Sequence, residues 1–387
     1  MPPRVLVTDA EDRAVLAACR SLCGAGYAVS AVAGARPAAT HWSRCCDERL
    51  HLPHPREDPD GFVAGLAEVT ASRECELLLA GTDASLLAVS EGRERLEKHV
   101  RVELPPHQVV RACFDKSEVG RHAAAAGLPP PETELCSTEG AALAAARRLG
   151  YPMVLKPARS AALVEGVIRR RGSRPIHDEE ELTRELPLYG LPCLVQRHHP
   201  GPVLSTSAVA TAEGLIGFGA SRYERVFPPE GGSVSSSVTV APPPGLEERV
   251  AGLVAGLGWR GVFELELLGD SAGYRAIDFN PRFYGSMALA SAAGAPLAVI
   301  WCDHVLGRSS GRRFTPRPGV RYRWEDAEAR HLLWQLRRGR LGQALAMLRP
   351  HRGVVHAQFR LRDPGPLLAR VGLALRRRRA SSRTDGR

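Results

Sequence analysis

The sequence predicts an α/β domain with a parallel sheet, followed by an α+β region with antiparallel strands and a basic helical C-terminal extension. Three observations carry that expectation. Apolar runs alternate with helical periodicity near the start, short β-branched runs and turn signals fill the middle, and arginines crowd the end.

Val5-Leu6-Val7 reads as a buried strand, Asp12 to Leu22 as an amphipathic helix ending near Gly24 and Gly26, and Tyr27–Val32 as a second strand. Leu77-Leu78-Leu79-Ala80 is another strand, followed by Gly81-Thr82-Asp83 and a helical pattern through Leu96. This alternation implies a Rossmann-like parallel sheet covered on both faces, over residues 1–104. Ligands of such sheets sit beyond the carboxyl ends of the strands, where Thr8-Asp9 and Thr82-Asp83 fall. Asp83 is therefore a candidate substrate contact, with capping of the next helix as the alternative. No GxGxxG is present, so a dinucleotide site is not supported.

Residues 105–152 read as helices and loops, broken by Pro129-Pro130-Pro131. Strand-like runs follow at Met153–Leu155, Leu163–Ile168, Leu194–Gln196, Ala208–Thr211 and Ser233–Val240. A helix near Leu246–Leu257 leads into two strands, Val262–Leu268 and Tyr274–Phe279, joined by a Gly269–Gly273 turn. Beyond Gly307 a Pro- and Arg-containing linker reaches Val320, and helices occupy much of Glu325–Leu348.

Composition narrows the class. The 387 residues are 44% hydrophobic with no apolar tract long enough to span a bilayer, as expected of a globular protein with real cores. The chain starts directly on a strand-like segment with no apolar secretory core, so a cytoplasmic location is expected. Nine cysteines, irregularly spaced and without CxxC, indicate neither a disulfide framework nor structural zinc. The net charge of +10 belongs to the end of the chain: residues 330–387 carry +13, and the rest is nearly neutral. Only three of the 52 basic residues are lysine (Lys98, Lys116, Lys156), and Asn280 is the one asparagine. Residue types this rare suggest chemical demands that arginine or aspartate cannot meet.

The acidic hairpin is the most informative segment. Glu264 and Glu266 share one face of the first strand, and Asp278 and Asn280 share one face of its partner. Opposed like charges destabilise a sheet unless a cation neutralises them, and an all-oxygen donor set suits magnesium bridging to phosphates. A solvated alternating face is the alternative, weakened because asparagine is poor in strands and is used nowhere else.

These residues resemble the closing motif of the ATP-grasp superfamily, an acidic strand residue followed by Asp/Glu-x-Asn-x-Arg on the next strand. Here the match is Glu266 with Asp278-Phe279-Asn280-Pro281-Arg282. Earlier segments match in order: Asp115-Lys116, Tyr151–Pro157 with Lys156, Leu194-Val195-Gln196 with Pro200-Gly201, and Gly231-Gly232-Ser233. The resemblance implies a two-lobed ATP-grasp fold over 105–308, preceded by the N-terminal domain and followed by an extension at 309–387. It further implies that Glu266, Asp278 and Asn280 hold magnesium, or manganese, and that Lys116 and Lys156 contact ATP phosphates. Ser160 would be a further phosphate contact, and the segment Gln196, Arg197, His198 would meet the adenine edge. A compact ammonium suits a buried phosphate better than a rigid guanidinium fork.

The implied reaction is attack of a carboxylate on the γ-phosphate, with capture of the acyl phosphate by an amine. Arg282 would stabilise the transferring charge, and Arg222 and Arg225 would hold the substrate carboxylate, an exposed ion-pair ladder being equally compatible. Small-molecule carboxylate and amine substrates follow as partners, and a homodimer stays open. A carboxylase-type acceptor and a non-catalytic nucleotide-binding scaffold are the competing readings. The loop Ala158–Gly172 departs from the family in having only Gly166 and Gly172, and the acidic ribose contact is absent at Val203 and Leu204.

In the tail, Leu367, Leu368, Val371 and Leu375 share a helical face before Arg376-Arg377-Arg378-Arg379. The pattern fits peripheral contact with a membrane surface, or a docked helix with a disordered end. Nucleic-acid binding lacks interleaved aromatics for base stacking.

Overall fold

The computed structural model describes residues 2–35, 38–270, 273–309, 314–349, 351 and 353–370. The Val371, Leu375 and four-arginine tail pattern, part of the Gly269–Gly273 turn and part of the 307–320 linker lie outside the described residues.

The first sheet has β1 (Arg4–Val7), β2 (Ala28–Ala33), β3 (Glu48–His51) and β4 (Leu77–Leu79) in the order β3-β2-β1-β4, all parallel. Helix α1 (Arg13–Gly24) starts at Asp12, whose carboxylate accepts from the Ala14 amide at 2.7 Å. α2 (Pro59–Ser72), α3 (Asp83–Glu91) and α4 (Arg93–Leu96) complete this part. β3 was not expected from the sequence, because Glu-Arg-Leu-His on a sheet edge gives no apolar run. The α3 cap is Thr82, not Asp83: the Thr82 and Ser85 side chains cap each other's backbone. Asp83 is thereby left to act elsewhere.

After α5 (His107–Phe114) and α6 (Lys116–Ala125) come β5 (Thr133–Cys136), α7 (Glu139–Leu149), β6 (Met153–Pro157), β7 (Ala161–Val164), β8 (Val167–Arg170), β9 (Arg174–Ile176), α8 (Glu179–Tyr189) and β10 (Cys193–Arg197). They form an antiparallel sheet ordered β5-β10-β6-β9 and a separate β7-β8 hairpin. Leu163–Ile168 is thus two strands rather than one. Glu165 and Gly166, with φ of 50° and 78°, make the left-handed turn that a two-residue hairpin loop needs.

The third sheet holds β11 (Val203–Ala210), β12 (Leu215–Phe227), β13 (Ser233–Val240), β14 (Gly261–Asp270), β15 (Gly273–Asn280), β16 (Arg321–Arg323) and β17 (Val355–His356). Its order is β15-β14-β11-β12-β13-β16-β17, antiparallel except for β16 with β17. The helices here are α9 (Leu246–Leu257), α10 (Met287–Ala293), α11 (Leu297–Val305), α12 (Glu325–Arg337) and α13 (Leu341–Met347).

The period of two along β14 and β15 separates two faces. Phe263, Leu265, Leu267 and Phe279 join a core with α5, α6 and α9, and the Phe263 and Phe279 rings lie 5.7 Å apart. The intervening Glu264, Glu266, Asp278 and Asn280 face the other way. A second core joins Val5, Val7, Leu77 and Leu79 to α1 and to α10 and α11. The N-terminal sheet is therefore held by hydrophobic burial against helices from late in the chain. No single helix among the described residues is long and apolar enough to cross a membrane.

Candidate active site

Register places Glu264 opposite Asn280 and Glu266 opposite Asp278. Next to that pair the ladder slips: Leu267 faces Ala276, so Ile277 has no counterpart. The bulge frees the Ile277 carbonyl, which accepts from Lys156 Nζ at 3.0 Å. Lys156, on β6, is only 6% exposed. Burial first, and Lys116 second, lower its pKa to about 8, against the opposing pull of Asp278 and Glu266. Lys116 opens α6, where Asp115 is the cap, and its Nζ donates to Asp278 Oδ1 at 2.5 Å. Burial opposes the charge on Asp278, but Lys116 and Lys156 outweigh it and hold the carboxyl below its usual value.

Glu264 is buried and accepts from Ser205 Oγ at 2.7 Å, Tyr223 OH at 3.2 Å and Asn280 Nδ2 at 3.2 Å. Tyr223 OH also meets Glu266 Oε1 at 2.9 Å. Burial, then Glu264 and Asp278, push the Glu266 carboxyl up to about 8. Replacing Tyr223 by Phe removes the one hydroxyl shared by these two acids. The expected cost is about 1–2 kcal/mol of stability. An unshifted denaturation midpoint would remove Tyr223 from the site.

Lys116, Lys156, Ser160, Gln196, Asp278 and Phe279 line one cavity of about 270 Å³ between the second and third sheets. Gln196 is buried and donates to Thr133 Oγ1 at 2.7 Å. Ser160 is fixed by its amide, which donates to Phe114 O at 3.0 Å, as Lys116 is by Ala158 O at 2.9 Å. Apolar Leu194 and Cys113 complete a wall suited to a flat heterocycle.

Arg282 lies beyond Asn280 and binds its Oδ1 at 3.0 Å. Its guanidinium also donates to Asp83 at the start of α3. Arg170, at the end of the β7-β8 hairpin, reaches the other oxygen of Asp83 at 2.6 Å. Burial opposes ionisation of Asp83, yet Arg282 and Arg170 together hold its carboxyl below the usual range. One buried acid thus ties the N-terminal domain, the hairpin and the closing motif together.

The remaining expected residues are not among those that line the cavity. The Arg197 guanidinium pairs with Glu132 at 3.0 Å, and its amide is used by Glu132 O. His198 and Arg222 are exposed. Arg225 forks onto Glu328 of α12, with Nε at 3.0 Å and Nη2 at 2.5 Å from its oxygens. Tyr223, Ser205 and Arg170 escaped sequence reading.

The donors fit a hard divalent cation. Glu266 and Asp278 oppose each other with oxygen atoms only, beside Glu264 and the carboxamide of Asn280, an all-oxygen set of the kind a hard cation takes. Among the described residues no three Asp, Glu, His or Cys side chains are grouped to hold a metal by themselves. Magnesium commonly uses one or two carboxylates and completes its shell with phosphate oxygens and water.

No family model matches the sequence. Over 215 residues the chain is 25% identical to the carbamoyl phosphate synthase large chain of Beutenbergia cavernae, a match covering 50% of this chain and 18% of that one. The chain thus spans under a fifth of that curated relative. Among solved structures, the ADP complex of N5-carboxyaminoimidazole ribonucleotide synthetase superposes with a TM-score of 0.62 at 13% identity, covering 83% of this chain and 81% of that one. The chain has the ATP-grasp fold. An L-amino acid ligase from Bacillus licheniformis gives a TM-score of 0.62 at 15% identity, covering 82% and 78%. The biotin carboxylase domain of Hydrogenobacter thermophilus 2-oxoglutarate carboxylase, solved with MgADP and bicarbonate, gives 0.63 at 17%, covering 83% and 73%. Within this fold the β7-β8 hairpin is pinned to the N-terminal domain through Arg170 and through the Ile168 amide on Arg56 O at 2.8 Å.

Proposed function

We propose that this protein is an ATP-dependent ligase that activates a substrate carboxylate as an acyl phosphate and joins it to an amine. The observation that carries the reading is the convergence of two of the chain's three lysines, Lys116 and Lys156, with Asp278 in one cavity. A carboxylate oxygen attacks the γ-phosphorus, the bond to the bridging oxygen breaks and ADP leaves. An amine then attacks the acyl carbon, phosphate departs with the electron pair, and the amine loses a proton. Lys116 and Lys156 hold the triphosphate as point charges, and Ser160 sits where its hydroxyl can meet a phosphate oxygen. Glu266, Asp278 and Asn280 would hold magnesium, which supplies charge neutralisation on the phosphates. Arg282 stands next to that set and offsets charge on the transferring group. Supply of ATP makes the cytoplasm the natural location.

The test is a screen of amino-acid pairs for magnesium-dependent ADP formation, with product mass measured. Asn280→Ala is expected to lower turnover about 10²–10³-fold, as loss of one preorganised electrostatic group does. Full turnover by both Asn280→Ala and Lys156→Ala would overturn the proposed site. ADP release that needs bicarbonate and no amine would replace the ligase by a carboxylase.

A further inference from the structure

Helices α12 and α13 carry a surface that the reaction does not use. The inner side of the pair is anchored. Ala327, His331, Gln335, Ala344 and Met347 are buried, and Glu328 accepts from Arg225 and Ser235. The outer side presents Leu333, Leu336, Leu341, Leu345 and Leu348, which are 48%, 45%, 62%, 67% and 61% exposed. Exposed Arg330, Arg337, Arg338, Arg340 and Arg349 stand among these leucines. From Ala329 to Arg362 the sequence has eight arginines and no Asp or Glu. At the turn between the helices, the guanidinium carbons of Arg338 and Arg340 lie 4.0 and 5.2 Å from the centroid of the Trp334 ring. Cation–π attraction therefore holds two of the charges in place.

Leucines grouped this densely are costly to leave in water, and the arginines decide what can cover them. A second copy docking through the same face would set arginines against arginines with no acid to relieve them. Nucleic acid would take the guanidinium groups but leave the leucines without a partner. An anionic lipid surface accepts both, because leucines enter the acyl boundary while arginines extend to the headgroups.

We propose that the outer face of the α12–α13 pair docks the protein onto an anionic phospholipid bilayer. It does so independently of the reaction and of the arginine run at 376–379. The full chain is tested by sedimentation with vesicles of phosphatidylglycerol and phosphatidylcholine, and with phosphatidylcholine alone. Binding to the anionic vesicles only is expected, weakened by salt. Leu336→Ser/Leu345→Ser and Arg337→Glu/Arg349→Glu should each weaken it about tenfold or more, with unchanged melting temperature. Replacing Arg376 to Arg379 by serine should leave at least half of the bound fraction. Binding that ignores the leucine substitution, that is lost with the 376–379 run alone, or that yields to single-stranded nucleic acid while the leucines are irrelevant, would overturn the proposal. A chain that binds no vesicles would do the same.

Discussion

Lys156→Met is expected to leave the ligand-free protein more stable than the wild type and, on the proposed function, to abolish ATP turnover. Lys156 carries its charge almost fully buried, with one hydrogen bond, to Ile277 O. Holding a lysine at about 8 rather than 10.5 costs the folded state about 3 kcal/mol at neutral pH. Methionine fills similar volume without charge, and the Ile277 carbonyl then lacks its donor at a cost of about 1–2 kcal/mol. The net gain expected is about 1–2 kcal/mol. Its pH dependence identifies the cause. Below pH 8 the lysine is charged in both states, and the folded state bears the whole cost. Between about 8 and 10.5 the unfolded chain keeps a proton that the folded chain has released, so wild-type stability rises with pH relative to the variant. Thermal denaturation of both proteins from pH 7 to 10.5 should show the variant ahead at neutral pH and the gap closing towards the alkaline end. A variant that is less stable at pH 7, or a gap insensitive to pH, refutes the account. On the proposed function, loss of a lysine that holds the triphosphate should lower turnover by at least about 10²-fold, so stability and activity would move in opposite directions.

Arg282→Met should act on stability in the opposite sense. Asp83 is 4% exposed and relies on Arg282 and on Arg170, whose side chain is 56% exposed. Taking away the buried partner strands a carboxylate and leaves Asn280 Oδ1 without its donor, which is expected to cost about 3–5 kcal/mol. Arg282→Lys restores the charge but not the fork that reaches both Asp83 and Asn280, so it should recover part of the stability and little of the turnover. Denaturation of Arg282→Met, Asp83→Asn and the double variant forms a cycle. Additive effects would show that the pair is not coupled.

The parts legible in the sequence were those written in local pattern. Period-two alternation separated Phe263, Leu265 and Leu267 from Glu264 and Glu266, and the structure puts them on opposite faces. Lys116 and Lys156 stood out by rarity and line one cavity. What escaped depends on contacts distant in sequence. Arg170 is 87 positions from Asp83, and Tyr223 is 41 and 43 positions from Glu264 and Glu266, with nothing local to mark either residue. The β7-β8 hairpin was hidden because Glu165 adopts a left-handed conformation that its residue type does not advertise.

The Asp83 junction also bears on how the molecule is made. A ribosome releases the N-terminal sheet first, but Arg282, the second of Asp83's two partners, emerges 199 residues later. The helices α10 and α11 that cover α1 follow later still. The nascent first domain therefore waits, with a charged residue and an apolar flank unsheltered, until residues 282–305 have been made. Completion of the first domain is therefore late although its synthesis is early.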